Sequence, residues 1–286
     1  MWKDSYLVGI ELIDEQHKGL FAAVGDLMES LKKIPDKEEY KKHLLASLDF
    51  LKTYCAQHFK DEEHYHKELG TDKDGKHKKT HEQLFVDVTD FESELAQNNF
   101  EPPIVNKFLG FLLAWLVYHV AEDDQVLKTQ SGGTLPAPEA PVATCTVHDF
   151  ALQTKRVLRT MTGLDEEDMS LEIKNSLSIR EGAAFKVGLT GNSDKKGIGI
   201  IYSDDMVLGI LESMTGIEIK KITEITYSAL QKVSNIISSR IAEVIVDSGA
   251  SCDVQYPVKT SIKNIPQDSD CFKVSSNIGY MEVVVY

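Results

Sequence analysis

Apolar residues recur at steps of three and four along the first 130 residues of the chain. This spacing is typical of amphipathic helices, and it predicts four of them. The predicted helices span residues 12–33, 37–67, 74–97 and 101–129. The breaks between them contain proline, glycine or asparagine and are short, and short connections favour antiparallel neighbours. The pattern therefore predicts an all-α, up-down-up-down four-helix bundle.

The rest of the chain has a different pattern, in which helical spacing alternates with runs rich in β-branched and aromatic residues. Helices are predicted over residues 147–162, 205–215 and 222–247, and strands over 169–179, 184–189, 197–202, 258–265 and 278–286. This mixture is typical of an α+β domain with a mainly antiparallel sheet. Between the two patterns, a segment with three of the eight prolines predicts a linker. The predicted organisation is multi-domain, with a bundle at 1–130, a linker at 131–143 and an α+β domain at 144–286.

Charge and cysteine usage exclude several classes of function. The 286 residues carry a net charge of −14, and acidic residues outnumber basic ones in both halves, so we expect no nucleic acid partner. The four cysteines lie far apart without a CxxC pair, which argues against a disulfide framework and a thiolate zinc site. No apolar run approaches the ~18 residues of a membrane span, and charges interrupt the N-terminus. We expect a cytoplasmic protein with no membrane partner.

Histidines provide the main chemical signal, since eight of the nine lie before residue 131. Each predicted helix offers potential ligands, often at the i, i+4 spacing that places two side chains on one helix face. These residues are His17 in the first helix, His58 and Glu62 in the second, His77 and His81 in the third, and His119, Asp123 and Asp124 in the fourth. Five imidazoles and two or more carboxylates are thus expected to converge on the bundle axis.

This donor set indicates which metal the bundle holds. A structural zinc takes four ligands, whereas many nitrogen donors with carboxylates that bridge two ions suit a pair of irons. Two bridging carboxylates and five terminal histidines leave one coordination position open. An open position on reduced iron is a binding site for dioxygen.

Four stretches of the chain resemble the bacterial hemerythrin domains. They are residues 8–17 (VGIELIDEQH, with Trp2 before them), 58–63 (HFKDEE), 77–81 (HKKTH) and 115–124 (WLVYHVAEDD). The resemblance covers essentially all of residues 1–130. It implies a non-haem diiron centre with an oxo or hydroxo bridge, and dioxygen as its ligand.

The resemblance also implies a role for each ligand residue. His77, His81 and His119 would bind one iron, His17 and His58 the other, and Glu62 and Asp124 would bridge them, with the vacant position on the two-histidine iron. Spacing alone favours Asp123, which at i+4 lies ~40° around an α-helix from His119, over Asp124 at ~140°. The family pattern favours Asp124, and Asp123 is the alternative.

The remaining histidines have simpler interpretations. His43, His64 and His148 are interpreted as surface residues. His66 is undecided, because it lies at i+4 from Glu62 where the family usually has an apolar residue, often methionine. Phe59 and Trp115 are expected to line the apolar surroundings of the metals.

The C-terminal half contains no phosphate-binding glycine loop and no nucleophile elbow. Its order of elements resembles the CheX-type chemotaxis phosphatases, which act on the response regulator CheY. The resemblance is carried by residues 197–216 (GIGIIYSDDMVLGILESMTG) and 228–235 (SALQKVSN). It implies a homodimer formed through this domain, a CheY-type partner and a catalytic Asn235. The expected catalytic glutamate is replaced by Lys232, which would meet a partner lysine with like charge.

Three functions are consistent with these patterns. The first is a diiron dioxygen sensor that couples the oxygen or redox state of the bundle to the CheX-like domain. The second is an enzyme, either an oxygen-gated phosphatase of a CheY-type regulator or a diiron oxidase. The third is oxygen storage, with the C-terminal domain serving for dimerisation. We favour the sensor because a stand-alone bundle would suffice for storage, Lys232 argues against the phosphatase, and five histidines argue against an oxidase.

Overall fold

The computed structural model describes residues 1–130, 145–267 and 269–286. The chain divides into two compact units, Met1–Leu109 with Leu116–Pro136 and Gly110–Trp115 with Ala137–Tyr286. We call the first the helical unit and the second the sheet unit. The predicted linker at 131–143 lies outside the described residues, and the domain boundaries beside it stay a prediction.

Residues 1–130 contain the four long helices that the apolar spacing predicts, and the segment Gly110–Trp115 of the fourth is grouped with the sheet unit. After a short 3-10 turn at Asp4–Tyr6, the helices are α1 (Glu11–Leu31), α2 (Lys37–Leu69), α3 (Lys76–Gln97) and α4 (Pro102–Tyr118), followed by a π turn (His119–Asp123) and α5 (Gln125–Gln130). The first and last residues of α1, α2 and α3 agree with the predicted bounds to within two residues. The fourth predicted helix is confirmed as a helical segment, and a π turn interrupts its α-helical hydrogen bonding at residues 119–123.

Polar side chains and glycine set the ends of α2 and α3. Asp36 precedes α2 and accepts a hydrogen bond from the Glu39 amide at 2.8 Å, and Gly70 ends the helix with φ of 67°. The carboxylate of Asp72 then accepts hydrogen bonds from the amides of His77 at 2.9 Å and Lys78 at 3.1 Å. These bonds satisfy free amides in the first turn of α3 and so fix the backbone that carries His77.

One helix of the described residues, Pro102–Lys128, is long and apolar enough by length and composition to cross a membrane. The sequence interpretation, which expected no such run, is corrected on this point. The helix is mostly buried inside the protein, and it contains the buried polar residues His119 and Asp124. Both features are typical of a core helix.

The sheet unit is an α+β domain built on one antiparallel sheet. Its elements are α6 (Val147–Thr162), β1 (Ser170–Lys174), β2 (Ala183–Gly191), β3 (Gly197–Tyr202), α7 (Asp204–Thr215), α8 (Glu224–Asp247), β4 (Cys252–Val254), β5 (Val258–Thr260), β6 (Cys271–Ser276) and β7 (Gly279–Val285). The strand order is β1-β6-β7-β3-β2-β4, and β5 also pairs with β2. The three helices and the predominantly antiparallel sheet agree with the prediction.

Two strand predictions are corrected by the structure. The strand predicted over 169–179 ends at Lys174, and the one predicted over 258–265 ends at Thr260 and continues as a 3-10 turn at Ile262–Asn264. Strands β4 and β6 lie outside every predicted strand. Strand β6 forms because β1 and β7 pair with it from both sides, and such pairing of distant segments leaves little local signal.

A carboxylate in β7 lies in the core of the sheet unit. Glu282 is fully buried, and it accepts hydrogen bonds from Lys174 Nζ at 2.8 Å and from the amides of Ser178 at 2.7 Å and Ile179 at 3.1 Å. Burial alone would raise the pKa of Glu282, but these hydrogen bonds outweigh burial and lower it. The Glu282 carboxylate thereby ties the segment after β1 to the centre of the sheet.

Candidate metal centre

The seven residues expected to bind metal lie together inside the helical unit. They come from α1 (His17), α2 (His58 and Glu62), α3 (His77 and His81), the π turn (His119) and the residue after it (Asp124). All seven side chains are buried, and none is more than 8% exposed. Buried polar groups in a bundle core need hydrogen-bond or metal partners.

The donor atoms form two groups that share one carboxylate. Glu62, His77, His81 and His119 form one group, and His17, His58 and Glu62 form the other, with the donor atoms of each group within 4.8 Å of one another. Oε2 of Glu62 lies 3.2 Å from Nε2 of both His77 and His81 and 3.9 Å from Nε2 of His58, and Oε1 lies 3.9 Å from Nε2 of His17. The carboxylate of Glu62 therefore lies between the two histidine sets, where a bridging ligand would lie.

The carboxylate of Asp124 also lies between the two groups. Its Oδ2 lies 3.1 Å from Nε2 of His17, while its Oδ1 lies 3.2 Å from Nε2 of His119 and 3.6 Å from Nε2 of His77. Both carboxylates therefore span a three-histidine side and a two-histidine side. This arrangement suits two cations with two shared ligands.

The π turn explains how Asp124 reaches the site. The amide of Asp124 donates to the carbonyl of His119 at 3.0 Å, which is an i+5 bond and adds one residue to the turn. In a regular α-helix the i+5 position would lie on another face, but the wider turn brings Asp124 round to the side of His119. Single π turns inside α-helices occur frequently at functional sites.

Asp123, the alternative from spacing, has a different place. Its Oδ2 lies 3.4 Å from Nδ1 of His119, on the opposite edge of the imidazole from the cluster. A carboxylate there accepts a hydrogen bond from Nδ1–H and orients the ring so that Nε2 is directed at the cluster. In this geometry Asp123 orients the imidazole of His119, and Asp124 lies between the two histidine sets.

Two more histidines have acceptors on their outer edges. Nδ1 of His58 lies 3.0 Å from Oε1 of Gln16, and Nδ1 of His81 lies 3.5 Å from Oε1 of Glu63. These acceptors select the Nδ1–H tautomer, which leaves Nε2 as a lone pair toward the cluster. Gln16 and Glu63 were not among the residues singled out from the sequence. The only available signal was that each is a polar residue next to a ligand.

The inward-facing atoms fit cations. Nε2 of His81 lies 2.9 Å from Nε2 of His119, a separation that suits two nitrogens bound to the same cation. Within the described part of the chain, buried atoms with no hydrogen-bond partner include Nε2 of His17, Nε2 of His58, Oε1 of Glu62 and both oxygens of Asp124. A set of unpaired imidazole nitrogens and carboxylate oxygens is the donor chemistry of iron and related transition metals.

Burial and nearby charge set the protonation states in the cluster. At His119 the charge of Asp124 and the hydrogen bonds with Asp123 and Glu62 outweigh burial and raise the pKa well above its usual value. Burial has the larger effect at three other imidazoles. It lowers the pKa of His17 to about 3, of His58 to about 4 and of His81 to about 3, so these rings are neutral at neutral pH. Burial, and then the adjacent negative charge of Glu62, raise the pKa of Asp124 well above its usual range. A positive ion between the carboxylates would lower the pKa of Asp124 and keep its carboxylate ionised.

An aromatic side chain contacts the cluster. The ring of Phe59 stacks on His81 with centroids 3.7 Å apart and an interplanar angle of 6°. Val8, Ile13 and Leu127 form a buried hydrophobic group in the same unit. The prediction that Phe59 lines the site is confirmed, and such surroundings limit the access of water.

The histidines outside the predicted ligand set differ in burial. His64 and His148 are exposed, as expected, whereas His43 is half-buried and lies 2.7 Å from the hydroxyl of Ser30. His66, the undecided case, is only 3% exposed, and its ring lies 4.1 Å from that of His77. His66 therefore belongs to the immediate surroundings of the cluster.

In the sheet unit, α8 carries the residues that the CheX resemblance singled out. Lys232 and Asn235 are both half-buried, and Asn235 lies between the buried residues Ser234 and Ile236. The hydroxyl of Ser234 forms a hydrogen bond of 2.9 Å with that of Tyr202 in the core. A catalytic role for Asn235 stays a prediction.

Five imidazoles and two carboxylates inside a four-helix bundle define a cation-binding bundle. Residues 8–130 match the family described as the hemerythrin HHE cation binding domain. The bacteriohemerythrin of Clostridium acetobutylicum is 30% identical over 128 residues, which are 44% of this chain and 95% of the relative. The myohemerythrin of Theromyzon tessulatum is 29% identical over 123 residues, 43% of this chain and 86% of the relative. Through its N-terminal part, the chain belongs to the hemerythrin family.

Solved structures of chemotaxis proteins cover the C-terminal half. CheX from Vibrio vulnificus aligns with a TM-score of 0.42 and 18% identity over 49% of this chain and 98% of that chain. The CheX–CheY complex from Borrelia burgdorferi aligns with a TM-score of 0.43 and 20% identity over 50% of this chain and 97% of that chain. The chain thus combines a hemerythrin domain with a C-terminal α+β region that aligns with CheX structures.

Proposed function

We propose that the hemerythrin domain binds two irons and, through them, dioxygen, and that this state is the input of a sensor. The observation that supports the proposal is the asymmetry of the donors. Three histidines group with Glu62 on one side and two histidines group with it on the other. The two-histidine side has fewer protein ligands, so it has room for a small molecule. A bound iron pair would supply reversible electron transfer to dioxygen.

The residues of the chain would have separate tasks in this function. His77, His81 and His119 would hold one ion and His17 and His58 the other, while Glu62 and Asp124 would keep the two ions at a fixed separation. Gln16 and Asp123 orient rings from outside the cluster, and Phe59 excludes water on the His81 side.

Metal analysis with optical spectra of the full chain, reduced without air and then exposed to it, tests the proposal. We expect two irons per chain and new charge-transfer bands in air, and we expect His77→Ala to lose both. His64→Ala is the matched control, because it removes an exposed histidine of α2 and should change neither. Zinc in place of iron, or immediate oxidation without an oxygen adduct, would contradict dioxygen binding.

We propose further that the C-terminal domain transmits the state of the iron site to a cytoplasmic CheY-type response regulator, and that it forms a homodimer. The support is the CheX resemblance of residues 197–216 and 228–235 and the fusion of this domain to a ligand-binding one. A ligand shifts an equilibrium only if it binds two conformations with different affinity. We therefore expect hydrogen exchange in residues 145–286 to differ between the deoxy and the oxidised protein. Unchanged protection there would argue for two uncoupled domains.

Phosphatase activity is a separate question, since Lys232 replaces the acid that the resemblance expects. We expect the chain to leave the dephosphorylation rate of a CheY-type regulator unchanged, and Lys232→Glu to raise it if Asn235 is competent. Acceleration by the unmodified chain that Asn235→Ala abolishes would show instead that it is an oxygen-linked phosphatase. Size-exclusion chromatography with light scattering tests the homodimer.

A further inference from the structure

The side chain of Gln125, the first residue of α5, makes two hydrogen bonds beside the π turn. Its Nε2 donates to the carbonyl of Val120 at 2.9 Å and to the carbonyl of Tyr6 at 3.1 Å. Both partners are acceptors, so both hydrogens of the side-chain amide are used and its orientation is fixed. Val120 is fully buried and Tyr6 is only 3% exposed. The amide of Gln125 therefore satisfies two main-chain carbonyls inside the helical unit.

The bond to Val120 compensates for the geometry of the π turn. In a regular α-helix the amide of Asp124 would donate to the carbonyl of Val120, four residues before it. Here that amide donates to the carbonyl of His119 instead, at 3.0 Å. The carbonyl of Val120 thus loses its α-helical donor, and a buried carbonyl without a donor costs free energy. The side chain of Gln125 supplies a donor at this point, so it favours the π turn over the regular one.

The second bond of the same side chain connects the π turn to the segment that precedes α1. In this segment the amides of Val8 and Gly9 donate to the carboxylate of Asp14 at 2.7 Å and 3.1 Å. Asp14 lies in the first turn of α1, three residues before His17. The segment is therefore bonded both to the helix that carries His17 and to the turn that carries the shared carboxylate.

We propose that Gln125 is a positioning residue of the metal centre, which stabilises the π turn and fixes it to the segment before α1 so that Asp124 faces His17. Oδ2 of Asp124 lies 3.1 Å from Nε2 of His17. Without the amide of Gln125 the turn can relax toward a regular α-helix, in which Asp124 lies on another face than His119. The effect on iron rests on the proposed function, whereas the effect on the turn does not.

The test compares Gln125→Met with Asn98→Ala in the full chain. Methionine keeps the length of the side chain and removes both hydrogen bonds. Asn98 is exposed at the end of α3 remote from His77 and His81, and its Nδ2 donates to the carbonyl of Glu94 at 2.7 Å, so the control also removes a bond from a side-chain amide to the main chain. In chelator titrations of the ferrous proteins, we expect the iron of the two-histidine side to be weakened at least about tenfold in Gln125→Met, because that ion has fewer other protein donors. We expect both irons to be unchanged in Asn98→Ala.

Hydrogen exchange of the metal-free proteins separates positioning from a general loss of stability. We expect exchange over residues 119–124 to be faster in Gln125→Met, while α2 and α3 stay as protected as in the unmodified chain. Asn98→Ala should leave residues 119–124 unchanged. Equal exchange over residues 119–124 in Gln125→Met and the unmodified chain, or an equal acceleration in every helix, would overturn the proposal.

Two further outcomes have a definite meaning. If the unmodified chain binds no iron, the proposed function fails, and the exchange comparison still decides whether Gln125 stabilises the π turn. Gln125→Glu covers the case in which methionine prevents folding, because its ionised carboxylate keeps the shape of the side chain but has no hydrogen to donate. Far-ultraviolet circular dichroism of the metal-free proteins identifies that case. Exchange over residues 119–124 in folded Gln125→Glu equal to that of the unmodified chain would also overturn the proposal.

Discussion

The acceptor behind His58 offers a sharp test of how the site is built. Gln16 is half-buried in α1; its Oε1 lies 3.0 Å from Nδ1 of His58, and its Nε2 donates to Asp61 at 2.8 Å. Gln16→Met keeps the length of the side chain and removes both bonds. Because burial keeps His58 neutral, with its pKa at about 4, the loss acts on the tautomer and the orientation of the ring rather than on its charge.

The expected magnitude follows from the place of this bond. Loss of an outer hydrogen bond to a ligand histidine typically weakens metal binding about 10- to 100-fold, which is roughly 1.4 to 2.7 kcal/mol. The two-histidine side should lose most, since His58 is half of its imidazole set, whereas the three-histidine side keeps all of its rings. We expect chelator titration of Gln16→Met to show one iron weakened within this range and the other nearly unchanged.

Gln57 provides the matched control. Its side chain is exposed, and its Nε2 donates to Oδ1 of Asp61 at 2.8 Å, whereas Gln16 donates to Oδ2 of the same carboxylate. Gln57→Met should therefore leave both irons as they are. Equal weakening in the two variants, or none in either, would refute the assignment of Gln16 as the group that orients His58.

Three other predictions follow from the geometry. Asp124→Asn should abolish binding of the iron pair, whereas Asp123→Asn should weaken it only about tenfold, and metal analysis after dialysis would reveal the reverse order if Asp123 were the bridge. Asp72→Ala should lower the free energy of unfolding by about 1 kcal/mol through the loss of two amide acceptors in the first turn of α3, as measured in thermal unfolding of the full chain. Glu282→Gln should cost about 2 kcal/mol through the pair with Lys174. Because folding lowers the pKa of Glu282, its ionised carboxylate stabilises the folded state above the unfolded pKa of 4.5, and this stabilisation is lost as the pH falls below that value. Denaturant titrations below pH 4.5 should therefore show a weaker pH dependence of the free energy of unfolding in Glu282→Gln than in the unmodified chain.

Much of the helical unit could be predicted because its signals are local. The spacing of His58 and Glu62, and of His77 and His81, placed each pair on one face of an α-helix. The structure brings six of the seven expected residues into two adjoining groups, and Asp124 lies within 3.2 Å of a histidine from each. Spacing could not decide whether Asp123 or Asp124 faces the site. The answer depends on a π turn, and the sequence of residues 119–124 contains no pattern that predicts one. The family pattern favoured Asp124, which is the residue that the structure places between the two histidine sets.

The sheet unit was less predictable for a different reason. Strand β6 is held by β1 and β7, and only the completed sheet provides these partners. The segment after β1 looked like strand, but the buried carboxylate of Glu282 binds the amides of Ser178 and Ile179 and ends the extended pairing before them. The role of Glu282 depends on a residue more than a hundred positions away, which no local pattern reveals.

The π turn at residues 119–123 also bears on how such a site could arise. A π turn contains one residue more than an α-helical turn, which corresponds to a single inserted codon. In a regular α-helix, such an insertion would rotate all the residues after it by about 100° around the axis. Confining the extra residue to one turn leaves the helix before it in register and moves a carboxylate into the site. An engineer who grafts this centre onto a regular four-helix scaffold would have to copy the insertion as well as the ligands.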